Sequence, residues 1–264
     1  MILSESLNYK TLKIPHWPAG IGVMQVQIFI PCFIDQLYPQ TAFNMVKVLE
    51  KACCDVAYNG NQTCCGQPAF NAGFWDEARA VCTKFLKDFD TADYIVCPSA
   101  SCVGFVRNYY VKLFDNSSLH NQVKDLSNRI YEFTEFLTDI LKIENFGAVL
   151  NGTATYHDSC AALRECNIKD GPRRLLGNVK GLQLTEMGDV ETCCGFGGTF
   201  AVKFDAISIA MADQKVTNAK ATNAEYIIST DISCLMHLDG YIQNKGLPIK
   251  TMHIADVLAG GWEL

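Results

Sequence analysis

The sequence predicts an α/β protein made of two tandem, pseudo-repeated cysteine-rich units with mainly parallel sheets. Two observations carry that reading. Cysteine landmarks recur in one order in both halves of the 264-residue chain. Between them, short apolar runs alternate with amphipathic segments at the spacing of strand–helix–strand units.

The first half reads Val26-Gln27-Ile28-Phe29-Ile30-Pro31-Cys32, then Thr63-Cys64-Cys65-Gly66, then Tyr94-Ile95-Val96, then Ser101-Cys102. The second reads Thr153-Ala154-Thr155-Tyr156-His157-Asp158-Ser159-Cys160, then Thr192-Cys193-Cys194-Gly195, then Tyr226-Ile227-Ile228, then Ser233-Cys234. Cys32 and Cys160 stand 128 positions apart, Cys64 and Cys193 129, and Cys102 and Cys234 132. Four landmarks at a nearly constant offset mark a duplicated structural unit.

In chain order, residues 26–30 form an apolar run suited to a buried strand. Residues 41–52 place Ala42, Met45, Val46, Leu49 and Ala52 on one helical face, with Thr41 as N-cap. Residues 55–58 read as a strand leading to the first cysteine pair, 74–89 as a second amphipathic helix, and 94–96 as a third strand ending before Cys97. In the second half, 153–156, 182–187 and 226–229 take the strand roles, and 199–219 is one long helix. Asn145, Gly147, Asn151 and Gly152 mark the join. The expected organisation is an N-terminal extension, 1–24, then units 25–145 and 146–264, each with its own core.

Composition narrows the function. An apolar fraction of 49% and a charged fraction of 19% suit a globular chain with a substantial core. A net charge of −6 argues against nucleic acid or an anionic membrane surface as partner. No apolar run nears the roughly 20 residues of a membrane span. The first twenty positions carry Ser4, Glu5, Asn8, Lys10 and Lys13 and lack a signal-peptide core, so a cytoplasmic location is expected.

There the 13 cysteines cannot be a disulfide framework, which points to metal or redox chemistry. In a parallel sheet the loops after the strands gather at one edge, where ligands bind. Cys32, Cys64, Cys65 and Cys102 each follow a strand closely, as do Cys160, Cys193, Cys194 and Cys234. Four thiolates per half match a tetrahedral zinc ion or a [4Fe–4S] cluster. Gly66 and Gly195 permit the bend that lets adjacent cysteines converge. In the second half that loop opens a helix, whose first N–H groups are expected to face the thiolates. Gly195, Gly197 and Gly198 do not make a nucleotide loop: Phe200 stands where a third small residue is needed, and no Gly-Lys-Ser/Thr follows.

The pattern of Cys, then Cys-Cys-Gly, then Cys, occurring twice, resembles the CCG cysteine-rich domain. That domain is found in the heterodisulfide reductase catalytic subunit, the glycolate oxidase iron–sulfur subunit and the lactate-utilisation protein A family. The chain resembles the last of these most, through Cys64-Cys65-Gly66-Gln67-Pro68-Ala69, Thr192-Cys193-Cys194-Gly195-Phe196-Gly197-Gly198-Thr199-Phe200 and Met252-His253-Ile254-Ala255-Asp256-Val257-Leu258. The resemblance implies an iron–sulfur subunit of a cytosolic complex oxidising L-lactate to pyruvate, beside a ferredoxin-like iron–sulfur subunit and a third subunit. It departs in one respect. Where the fuller pattern ends in Cys-x-x-Cys, this chain has Ser99 before Cys102 and Asp231 before Cys234. A four-cysteine cubane in each half, or zinc in one, is then favoured over a five-thiolate cluster. A zinc-stabilised scaffold and a disulfide-reducing enzyme stay open as alternatives.

The remaining candidates have two readings each. Cys97 is a fifth ligand or a buried strand end. Cys53, Cys54, Cys82 and Cys166 read as core packing. His157 and Asp158 carry protons or support the second site. His253 caps the helix at 255–259 or approaches that site. Arg164, Arg173 and Arg174 attract a carboxylate or face solvent. Neither an acid–base pair for hydride abstraction nor a flavin or nicotinamide loop is evident, so the chain reads as an electron conduit.

Overall fold

The computed structural model describes residues 24–262. The expected extension therefore lies outside the described residues, except Met24, which begins the first strand. The first half runs β1 (Met24–Ile28), α1 (Cys32–Leu37), α2 (Pro39–Lys51), β2 (Cys54–Tyr58), α3 (Gln67–Asn71), α4 (Trp75–Asp88), β3 (Ile95–Cys97), α5 (Ala100–Leu113), α6 (His120–Ser127), β4 (Ile130–Glu132) and α7 (Phe133–Glu135), which continues as a π-helical turn, Phe136–Ile140. The second runs β5 (Val149–Tyr156), α8 (Cys160–Glu165), α9 (Asp170–Gly177), β6 (Lys180–Leu184), α10 (Thr199–Lys203), α11 (Asp205–Lys220), β7 (Tyr226–Ser229), α12 (Ile232–Asn244), β8 (Lys250–His253) and α13 (Ile254–Leu258).

The two sheets have the same order, β2-β1-β3-β4 and β6-β5-β7-β8, and every pairing is parallel. Helices cover both faces, so the central strands are apolar throughout: Ile95, Val96 and Cys97 are all buried. The duplicated α/β architecture is as the cysteine repeat implies.

Four details differ from the sequence reading. Each sheet has a fourth strand, β4 and β8, because Ile-Tyr-Glu and Lys-Thr-Met-His are too short and polar to announce one. The first long helix starts at Pro39, whose fixed φ suits a first turn. Thr41 is therefore not its N-cap; its hydroxyl donates to Asp256 instead. The helix expected over 199–219 breaks at Phe204, where φ is −133° and ψ is 53°. After the break, Ser208, Ala212, Lys215, Val216 and Ala219 form the buried stripe of α11.

The fourth difference concerns the core. Beside one cluster built mainly of first-half residues and one built only of second-half residues, the halves share a third. One continuous apolar cluster takes Val26, Met45, Leu49, Phe133 and Phe136 from the first half and Tyr156, Leu175, Ile228, Ile254 and Leu258 from the second. Helix α2 packs on α13, and reciprocally α9 packs on α7 and the π turn. Polar contacts follow the same exchange. Glu132, the N-cap of α7, accepts from Thr230 of the other half. His253, the N-cap of α13, places Nε2 3.1 Å from the Pro98 carbonyl of the first half. Ser99 and Asp231 pair across the same seam as an antiparallel bridge.

Candidate metal centres

Each cysteine of interest is set by a local feature at the C-terminal edge of its sheet. Cys32 and Cys160 are the first residues of the short helices α1 and α8. Cys102 and Cys234 occupy the first turns of α5 and α12, one turn beyond the central strands β3 and β7. The pairs Cys64-Cys65 and Cys193-Cys194 lie in loops bent by Gly66 and Gly195, at φ 93° and 97°. A Cβ on Gly195 would stand 2.6 Å from the Ser208 carbonyl, so the bend and the close approach both require glycine there.

All eight expected positions are brought together, four and four. In the first half the thiols form a chain of neighbours, Cys32 to Cys64, Cys64 to Cys65, and Cys65 to Cys102, the last pair 3.5 Å apart at sulfur. In the second the chain is Cys160, Cys193, Cys194 and Cys234. All eight open onto one cleft of about 690 Å³ between the halves. Each quartet concentrates negative charge on one member. Hydrogen bonds from Cys32 and Cys65 pull the Cys64 thiol down to about 3, and those from Cys160 and Cys194 bring Cys193 to about 2. The outer thiols, Cys32 and Cys160, move up because they donate to that thiolate. Gly66 N–H donates to Cys64 Sγ at 3.4 Å, and Gly195 N–H to Cys193 Sγ at 3.4 Å. The second loop does not open directly into a helix as expected. Its amides, those of Gly195 and Phe196, reach the sulfurs from the turn itself, four and three residues before α10 begins.

The other candidates divide clearly. Cys54, Cys82, Cys97 and Cys166 are buried, and Cys53 is partly exposed with a left-handed backbone. Cys82 and Cys166 are not remote from the sites, however. The first lies 3.8 Å from the Cys65 carbonyl and the second 3.7 Å from that of Ala100. Cys97 is fully buried beside Cys102. His253 caps α13 and lies on the seam. Arg173 is held by both Asp158 oxygens, at 3.0 and 2.9 Å, and by Glu186, and Arg174 pairs with Glu144 and Asp139. Arg164 is exposed. Asp231, at one of the two positions where the fuller pattern has cysteine, accepts from Ser101 and Ser233 N–H groups and caps α12.

His157 is fully buried, with both ring nitrogens unpartnered, and forms a potential metal-binding group with Cys194 and Cys234, all ligand atoms within 4.8 Å of one another. Lys215 went unnoticed in the sequence. It is fully buried near the second quartet, with Nζ 2.9 and 3.0 Å from the Asp189 and Val190 carbonyls. Its signal was present, since a lysine on an otherwise small and apolar helix stripe requires a partner.

Parallel doubly wound sheets carrying two thiol quartets define a tandem cysteine-rich domain protein. The cysteine-rich domain family CCG matches residues 26–107 and 154–239. The chain is 42% identical over 235 residues to "Lactate utilization protein A" of Geobacillus sp. (strain WCH70), covering 89% of this chain and 99% of that one. It is 43% identical to the protein of that name from Bacillus pumilus (strain SAFR-032), over 89% and 99% of the two chains. The chain belongs to the lactate utilization protein A family. A solved hypothetical protein from Helicobacter pylori shares the fold, with a TM-score of 0.60 at 10% identity, over 91% of this chain and 49% of that one. No helix among the described residues is long and apolar enough to cross a membrane.

Proposed function

We propose that the chain is an iron–sulfur, electron-transferring subunit of a cytoplasmic oxidoreductase complex that oxidises L-lactate to pyruvate. Units 25–145 and 146–264 each supply one [4Fe–4S] site, from Cys32, Cys64, Cys65 and Cys102 and from Cys160, Cys193, Cys194 and Cys234. The observation that carries this reading is the symmetric convergence of eight cysteines on one cleft. The donor set fits the group: four neighbouring thiols per half, glycine amides directed at sulfur, and a buried cation beside the second quartet. When bound, such clusters supply one-electron transfer. The protein's own residues position the thiolates, donate amide hydrogens to them and line the cleft with Phe33, Phe70, Phe105 and Phe196, which limit water. Arg173, already engaged by two carboxylates, is not available to a substrate carboxylate.

Electrons then pass to neighbouring subunits, a ferredoxin-like iron–sulfur protein and a third component. The docking face is the cleft rim bearing 66–73 and 195–200. Large apolar side chains exposed beside it, Phe74 at 60%, Trp75 at 58% and Val202 at 83%, support that choice. Phe196→Asp is expected to weaken co-purification with the neighbouring subunits while metal content stays unchanged; intact association would move the docking face elsewhere.

The decisive test is anaerobic purification with iron, sulfide and zinc analysis. Brown protein with iron and sulfide in near equal amounts, falling by half on Cys160→Ser, is expected. The grouping of His157 with Cys194 and Cys234 favours a second reading, zinc in the second half. Colourless protein with stoichiometric zinc would replace the iron–sulfur reading by a structural one.

A further inference from the structure

The two sites are equivalent in their cysteines but not in what stands behind them. Phe29 N–H bonds to the Val96 carbonyl just beyond β1, and His157 N–H bonds to the Ile228 carbonyl just beyond β5. Phe29 and His157 are therefore structural counterparts. The same holds one layer out. The Ala78 carbonyl is the backbone atom facing a Cβ placed on Gly66, and the Ser208 carbonyl is the one facing a Cβ placed on Gly195. This registers α4 on α11 and sets Phe85 against Lys215. In the first half these two positions form an edge-to-face aromatic pair with ring centroids 4.8 Å apart. In the second they are an imidazole and an ammonium.

Neither polar group has a conventional partner. Among the described residues Lys215 makes no ion pair with a carboxylate; two backbone carbonyls accept from it, burial works against its charged form and lowers its pKa, and the groups that favour the charge are Cys194, Asp158, Cys193 and Cys234. Asp158 is itself bound to Arg173. A lone buried ammonium is costly unless an anion lies close. His157 must carry at least one ring N–H, and the acceptors grouped with it are the sulfurs of Cys194 and Cys234. A buried donor left unpaired carries its full desolvation cost. Both costs are offset if the second quartet holds a group more negative than thiols alone. Asp231, on the seam, acts on Cys102 of the first quartet as well as on Cys160 and Cys234 of the second, so its charge is shared between the two sites.

We propose that the second site is the electron sink of the pair, because Lys215 and an N–H of His157 favour the additional negative charge of its reduced form where Phe29 and Phe85 give the first site none. The inference rests on the iron–sulfur reading. Reduction adds one electron and no proton, so the site with the nearby cation and hydrogen-bond donor is reduced at the higher potential. His157 and Lys215 act as positioning residues through charge and hydrogen bonding; the four cysteines alone hold the metal.

The experiment is a dithionite titration of the anaerobically purified full chain, followed by electron paramagnetic resonance after iron and sulfide have been measured. A Cys32→Ser, Cys64→Ser background identifies the second site's signal. The second site should be reduced first. Lys215→Met should shift its potential downward with iron content unchanged, and His157→Phe should do the same to a smaller extent. His157→Asn, which retains an N–H donor, should restore part of the shift. Lys215→Met should also raise the thermal midpoint of metal-free protein, a readout independent of the cluster. Iron clusters present but with an unmoved second potential would overturn the inference and leave the iron–sulfur reading standing. Loss of iron from the second site in His157→Phe would overturn it too, by making the histidine a ligand. Absence of iron and sulfide would overturn both.

Discussion

Glu132 shows how much a single buried group contributes to behaviour. It is fully buried, and burial pushes its carboxyl up from 4.5 to about 7, against the hydrogen bonds it accepts from Thr134, Thr230 and Glu135. An acid with a raised folded pKa holds its proton longer in the native state. Its contribution is therefore complete below the unfolded value and is lost as pH rises toward 7. The shift corresponds to at most about 3 kcal/mol. Glu132→Gln is expected to lose less stability than the parent between about pH 4.5 and 8, with urea midpoints converging at the acid end; parallel curves would refute this. Gly195 makes a contrasting case. Gly195→Ala brings a methyl within 2.6 Å of a backbone carbonyl, whereas Gly66→Ala meets nothing nearer than 3.4 Å. The first should destabilise by about 1–3 kcal/mol more than the second through that clash, measured by chemical denaturation, and, on the iron–sulfur reading, should lower metal content more.

At the level of elements, the sequence disclosed what its local chemistry determines. The eight cysteines, the glycine turns and the central strands were legible because each depends on residue type and short-range spacing. Strands β4 and β8 were not, since Ile-Tyr-Glu and Lys-Thr-Met-His lack the apolar run that marks β3 and β7 at the same length. The reciprocal caps were invisible for another reason: Glu132 and Thr230 are 98 positions apart, and His253 and Pro98 are 155 apart. Nothing local marks such a pair. Lys215 could have been found, because it falls on the stripe of Ser208, Ala212, Val216 and Ala219. His253→Ala removes the acceptor for Ala255 N–H and the contact to Pro98 together. It should cost about 1–2 kcal/mol, the upper range for a cap, and raise amide exchange in α13 and in the β3–α5 turn alike. Exchange confined to α13 would mean that the seam contact is energetically silent.

For the whole molecule, the continuous core makes the two cysteine quartets part of one cooperative structure. Denaturant unfolding is expected to be a single transition, with tryptophan fluorescence and circular dichroism coincident. Trp75 lies on α4 of the first half and Trp262 packs against the shared core under the Lys51 ammonium, so both regions are sampled. Two resolved transitions would show that the halves unfold independently. Cys193→Ser is expected to lower the midpoint of that one transition, and damage to one site is then felt in both halves.

The seam between the halves has the form of a two-fold interface. Helix α2 meets α13 as α9 meets α7, and each half's capping side chain reaches the strand end of the other. Contacts in which i meets j while j meets i are the mark of an isologous two-fold interface. A homodimer of one such unit would be obliged to keep both copies of every position identical. A single chain carrying both units is free of that constraint. Phe29 and His157, Phe85 and Lys215, and Ser99 and Asp231 therefore differ at matching positions, giving one protein two centres of different character where a symmetric dimer could hold only two alike.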